Sequence, residues 1–145
     1  NKLSVLGANL IIRGINDIES GVQKSLSQNH SLKTLAPKIK KEDLKINWNN
    51  SSEEIHNRIR AFDPFPGAYS FLNQKRIKLF NSSKYKIYEK VDGSPGQLIV
   101  KDNLLLIKTN NKDFINVGMV QIEGKKKISS LDFIKTLSNE KHILK

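Results

Sequence analysis

A mainly β domain with flanking helices is the fold class this sequence predicts, and three observations carry it. Apolar residues recur with a period of two over six short runs from Ala68 onward. Turn-forming clusters separate the runs: Asn73-Gln74, Ser82-Ser83, Asp92-Gly93-Ser94-Pro95-Gly96, Asp102-Asn103 and Asn110-Asn111. One helical stripe precedes the runs and another follows. Short strands at this spacing describe a small β-barrel.

The elements follow in order. Leu3, Leu6, Leu10, Ile11, Ile15 and Ile18 form an apolar stripe at helical spacing over residues 3–20, and Gly21 falls where a helix C-terminal cap belongs. Gly7 and Gly14 each lower the intrinsic propensity by up to roughly 1 kcal/mol, so this helix needs a packing neighbour. Residues 1–21 therefore read as the last helix of a preceding domain, and the polar, aperiodic stretch 22–35 as a linker. The main domain occupies 36–145. Within it, Leu44 to Trp48 is extended, and Ser51-Ser52-Glu53-Glu54 has the capping-box form. Ile55, Ile59 and Phe62 then make a helical stripe that Asp63-Pro64 stops. Candidate strands are 68–72, 75–81, 84–91, 97–101, 104–109 and 114–122, and Ser129 or Ser130 caps a last helix bearing Leu131, Ile134 and Leu137.

Composition narrows the function. Lys and Arg total 25 against 14 Asp and Glu, a formal charge of +11 that favours polyanions, nucleic acid first. Lys, Ile and Asn together exceed a third of the chain, as a low-GC coding bias produces, so the placement of charge matters more than its sum. The absence of cysteine excludes disulfides, thiolate metal sites and thiol nucleophiles and fits a cytoplasmic setting. No apolar run approaches the roughly 18–20 residues that span a bilayer. His30, His56 and His142 stand apart from any carboxylate-and-serine set or metal-ligand spacing, so neither a catalytic nor a metal site is predicted. Gly93-Ser94-Pro95-Gly96 reads as a hairpin turn and not as a phosphate loop, and Glu53-Glu54 read as helix-capping acids.

The basic clusters are the positive signal. Strand parity places Arg76 and Lys78 opposite Ile77 and Leu79, and Lys84, Lys86 and Lys90 opposite Tyr85, Ile87 and Val91. A hairpin turning at Ser82-Ser83 gathers these five cations on one outer surface, an arrangement that costs stability unless an anion binds. Lys125, Lys126 and Lys127 follow the last strand, and Lys38, Lys40 and Lys41 follow the linker. Lysines suit backbone phosphates, while four arginines are few for base readout. The alternative for each cluster is a solvated surface. Trp48 and the tyrosines Tyr69, Tyr85 and Tyr88 read as core, Phe62 and Phe65 as a seal at the helix end, and Arg60 as reaching either carbonyls at that corner or phosphate.

The stretches Ala36-Pro37-Lys38-Ile39-Lys40-Lys41-Glu42-Asp43, Ile46-Asn47-Trp48 and Ile59-Arg60-Ala61-Phe62-Asp63-Pro64-Phe65-Pro66-Gly67-Ala68 resemble the carboxy-terminal domain of methionyl-tRNA formyltransferases. Ser94-Pro95-Gly96-Gln97, Val120 to Ile128 and Ser130-Leu131-Asp132-Phe133-Ile134 resemble three later landmarks of that domain, and Leu6-Gly7-Ala8 to Gly21 resembles the last helix of the family's catalytic domain. Asn47 departs from the usual Asp and Ile128 from the usual Met. The resemblance implies a small open Greek-key β-barrel, OB-fold-like, preceded by a helix and linker. It implies transfer of a formyl group from 10-formyltetrahydrofolate to initiator Met-tRNA, with the catalytic groups and the folate on an amino-terminal domain and no cofactor on these residues. Under it, Lys38, Lys40, Lys41, Arg76, Lys78, Lys84, Lys86, Lys125, Lys126 and Lys127 bind RNA, and the enzyme is a monomer. Sugar-nucleotide formyltransferases and 10-formyltetrahydrofolate dehydrogenase share the domain type, and a free-standing RNA-binding barrel is the non-enzyme alternative.

Overall fold

A computed structural model describes residues 2–22, 24–88, 91–110, 113–138 and 140–145, in two compact units, Asn1–Pro37 and Lys38–Lys145.

The first unit contains α1, Lys2–Glu19, none of whose residues is buried. The helix ends as the glycine foretold: the Gly21 amide donates to the Ile18 carbonyl and the Val22 amide to that of Asp17, the two bonds of a Schellman cap. A 3-10 turn at His30–Leu32 follows, capped by the Asn29 side chain.

The second unit opens with a 3-10 turn at Glu42–Leu44 and a single bridge from Lys45 to Tyr69. Helix α2, Ser52–Phe62, begins with the expected capping box: Ser51 Oγ accepts from the Glu54 amide, and the Glu54 carboxylate accepts from the Ser51 amide. Strands β1 (Ala68–Leu72), β2 (Lys75–Lys86), β3 (Leu98–Lys101), β4 (Leu104–Lys108), β5 (Asp113–Ile122) and β6 (Ile128–Ser129) precede α3, Ser130–Ile134, which Ser129 caps. All strand pairs are antiparallel, in the order β1-β2-β5-β4-β3, with β6 on β5. The two-residue turns Asn73-Gln74 and Asp102-Asn103 have positive φ at both positions, the geometry that matches the twist of flanking hairpin strands. One sheet face packs under Ile55 and Ile59 of α2, Phe133 of α3, Ile46, Trp48 and Leu144. Trp48 lies buried there and donates from Nε1 to Ser70 Oγ at 2.9 Å, and Ser70 donates onward to the Lys145 carbonyl at 2.8 Å.

Several expectations need correction. Ser82-Ser83 is not a turn: β2 runs through it, pairing with β5 from Ile77↔Ile122 to Lys86↔Asp113 without a change of register. The irregularity is Asn81, at φ +52°, facing Gly118. A Cβ on Gly118 would lie 2.7 Å from the side-chain Nδ2 of Asn81, so the missing side chain leaves room for the Asn81 side chain at the bend. Beyond the bend both strands exchange faces. Ile77, Leu79 and Val120 are core before it, whereas after it Val117 and Ile115 are core, Ser82 bonds His56 of α2 and Lys84 meets Glu53 of α2. The expected strand 84–91 ends at Lys86, and Lys90 lies outside the described residues.

The turn at Ser94 to Gln97 is present but joins no hairpin, because β3 pairs with β4 and not with β2. Gly96 there sits at φ +84°, and a Cβ would meet the Leu144 carbonyl oxygen at 2.3 Å. Phe65 and Tyr88 are exposed and seal nothing, Tyr69 and Tyr85 are only half-buried, and Leu137 packs on the core from beyond α3. Strand β6 was not foreseen.

The segment 142–145 touches both edge strands. Lys145 exchanges two backbone hydrogen bonds with Phe71 of β1, while the His142 carbonyl accepts from Leu98 and the Leu144 amide donates to Gly96 beside β3.

Candidate nucleic-acid interface

The face of the sheet away from the core, over the first half of β2, is built by alternation. Ala68, Ser70, Ile77 and Leu79 point inward, so Tyr69, Phe71, Arg76, Lys78 and Phe80 fall on the opposite face, where Phe80 is itself buried at 2% exposure. Tyr69 lies directly opposite Lys78, and Phe71 opposite Arg76. Three cations rest on the rings of this face. The Arg76 guanidinium lies 5.0 Å from the Tyr69 centroid, Lys45 Nζ 5.6 Å from that of Phe71, and Lys127 Nζ 3.5 Å from that of Phe80. Each such contact contributes about 0.5–1 kcal/mol at an exposed site without neutralising the charge. Lys127 arrives by the tight turn after β5, held by the Lys125 amide donating to the Ile122 carbonyl and by Gln121 donating to the Lys125 carbonyl.

A shallow groove of about 200 Å³ opens on this face, lined by Arg76, Lys78, Gln121, Ile122, Glu123 and Gly124. The Glu123 carboxylate accepts from the Arg76 backbone amide at 3.4 Å. Arg76 Nε is buried and has no hydrogen-bond partner. Among the described residues no carboxylate forms an ion pair with Lys45, Arg76, Lys78 or Lys127.

The remaining basic residues are placed differently. Lys84 lies on the α2 side and pairs with Glu53, which it holds below the ordinary carboxylate range, first as a hydrogen-bond donor and then through its charge. Lys86 is exposed at the far end of β2, opposite Asp113. Arg76 and Lys78 thus share a surface, but Lys84 and Lys86 do not join them, because the Asn81 bend reverses the alternation. Lys38, Lys40 and Lys41 are exposed before the 3-10 turn, which Asp43 steadies by accepting from the Lys40 amide at 2.7 Å. Lys125 and Lys126 are exposed in their turn. Arg60 bonds Asn57 and not the corner carbonyls. The rings beneath the cations and Lys45 were missed in the sequence, although Phe80 continues the alternation of Arg76 and Lys78. Lys127 could not be placed without knowing where its turn folds.

His56 is bonded to Ser82 and His142 lies against Ser138. No helix among the described residues is long and apolar enough to cross a membrane.

Residues 38–138 match the family model described as formyl transferase, C-terminal domain, and the chain belongs to that family. Within it, the chain is 36% identical over 135 residues to methionyl-tRNA formyltransferase of Staphylococcus epidermidis, covering 92% of this chain and 43% of that protein. It is 39% identical over 133 residues to methionyl-tRNA formyltransferase of Thermodesulfovibrio yellowstonii, covering 92% of this chain and 41% of that one. The chain thus spans less than half the length of these relatives. Among solved structures, HypX from Aquifex aeolicus in complex with tetrahydrofolic acid shares the fold, with a TM-score of 0.61 and 23% identity over 86% of this chain and 22% of that one.

Proposed function

We propose that this chain is the carboxy-terminal part of a methionyl-tRNA formyltransferase. Residues 1–21 are then the last helix of the amino-terminal catalytic domain, 22–35 a linker, and 36–145 a domain that grips the tRNA backbone without reading its sequence. That grip orients initiator Met-tRNA so that its methionine amino group meets the formyl donor, 10-formyltetrahydrofolate, on the catalytic domain during translation initiation in the cytoplasm. The observation that carries this reading is the 36–39% identity to methionyl-tRNA formyltransferases over 92% of the chain. The net charge of +11 and the outer-face cations that pair with no carboxylate among the described residues support an RNA partner in particular. The strand order β1-β2-β5-β4-β3, with residues 142–145 reaching both edges, supports an open Greek-key barrel of OB type.

The cations that charge and position put forward for phosphate contact are Lys38, Lys40, Lys41, Arg76, Lys78, Lys84, Lys86, Lys125, Lys126 and Lys127, of which Lys84 is already engaged by Glu53. If four to six phosphates are contacted, log affinity for a methionine tRNA transcript against log salt has a slope of about −3 to −5, at roughly 0.7–0.9 per phosphate. A slope near zero contradicts the electrostatic grip. In a formyl-transfer assay this chain alone gives no turnover, and deleting it from the whole enzyme lowers kcat/KM for tRNA. Turnover by the chain alone would refute the division of labour.

A further inference from the structure

The ten candidate residues are not equivalent in the fold, and their surroundings divide them. Lys84 already has a carboxylate partner in Glu53, so a phosphate reaching it must compete with that ion pair. Lys45, Arg76 and Lys127 rest on aromatic rings, which restrict the side chain while leaving the charge available. Restricting a long cationic side chain in advance lessens the ordering cost when an anion arrives. The outer positions Arg76, Lys78 and Phe80, with Lys127 above the last, form a row at about 7 Å per two residues along β2.

Arg76 adds an independent indication. A buried polar group without a partner is uncommon, and Arg76 Nε is one, at the wall of the groove that Lys78 and Gln121 also line. A guanidinium presents its donors as a planar fork suited to a tetrahedral anion. The charges lining the groove are Arg76, Lys78 and Glu123, one net positive, and Glu123 is turned toward the Arg76 backbone. The groove is small and open, dimensions that suit one phosphate group better than a base.

Resting on the tRNA-grip reading, we propose that Lys45, Arg76, Lys78 and Lys127, backed by Tyr69, Phe71 and Phe80, are the phosphodiester-contacting face, with one phosphate docked on Arg76 in the groove. Lys84 lies outside this set, and its role is to hold α2 on the sheet. Neither Lys45 nor the three rings belongs to the cation set that charge and parity alone select.

The test measures binding of a fluorescein-labelled methionine tRNA transcript by the 145-residue chain across a salt series. Arg76→Gln and Lys127→Gln each reduce the magnitude of the salt slope by about 0.7–0.9, whereas Lys84→Gln leaves it unchanged. Phe80→Leu keeps every charge and weakens binding about 2–5-fold at an unchanged slope, because Lys127 loses its platform. Arg76→Lys retains the slope and binds more weakly, which separates charge from the fork and guards against a folding defect. A Lys84→Gln effect equal to that of Arg76→Gln, or no slope change in Arg76→Gln and Lys127→Gln, overturns the placement while the grip itself stands. Absence of any salt-dependent tRNA binding by the unsubstituted chain overturns both.

Discussion

Ser51 and Glu54 show how two side chains decide where a helix begins. Ser51 Oγ accepts from the Glu54 amide at 3.3 Å, and the Glu54 carboxylate accepts from the Ser51 amide at 3.0 Å and from its hydroxyl at 2.7 Å. Ser51→Ala removes the side-chain half of this exchange and costs about 1 kcal/mol, read as a lower urea midpoint at unchanged m-value. Those Ser51 bonds, side chain first and then backbone, hold the Glu54 carboxyl below the ordinary carboxylate range. Because the folded value is the lower one, the stabilisation is complete above the unfolded carboxylate value of about 4.3 and is lost as pH falls through the folded value. A pH series of urea midpoints should therefore show Glu54→Gln less stable than the parent at pH 7, the gap closing as the pH is lowered into the acid range below about 4. A gap that is constant with pH would mean that the charge of Glu54 plays no part.

At the scale of elements, the bend in β2 determines which cations share a surface. Alternation is strict only while the backbone stays extended, and Asn81 at φ +52° breaks it once, in step with Gly118 across the ladder. The pair Ser82-Ser83 carries turn propensity, but its backbone is already paired with Asn116 and Val117. Tertiary pairing outweighs the local preference. A second element-scale constraint is the approach of residues 142–145 to the turn before β3. Gly96→Ala places a methyl group against the Leu144 carbonyl and forces a positive φ on alanine, so a loss of at least about 2 kcal/mol is expected in chemical denaturation. Gly124→Ala shares a positive φ but meets open space, and should cost distinctly less.

Across the main unit, the same segment ties sheet edges that are far apart in sequence. Leu144 is 2% exposed in the core, and four backbone hydrogen bonds join residues 142–145 to β1 and to the turn and start of β3. Deleting residues 142–145 removes that burial, about 2 kcal/mol for the leucine alone, and leaves Trp48 and Ser70 at an opened boundary. It also leaves the edges of β1 and β3 with unpaired backbone groups, a template for pairing between molecules. The expected outcome is a marked fall in the denaturation midpoint together with concentration-dependent association in gel filtration. A truncated protein that is monomeric and equally stable would show that the segment lies on the sheet without closing it.

Local chemistry wrote much of this fold into the sequence. The capping box at Ser51, the cap at Gly21, the two positive-φ hairpin turns and the period-two runs were legible because each depends on residues within about five positions of one another. The outward row of Arg76 and Lys78 was legible for the same reason. What the sequence could not determine was anything requiring a partner from far along the chain. The unbroken β2 needed β5, the reversal of faces needed Gly118 opposite Asn81, Lys84 needed Glu53, and Lys127 needed the turn that sets it over Phe80. Side-chain alternation is a local rule, whereas the pairing that bends a strand and the charge that finds a neighbour are set by contacts 31 to 47 residues apart.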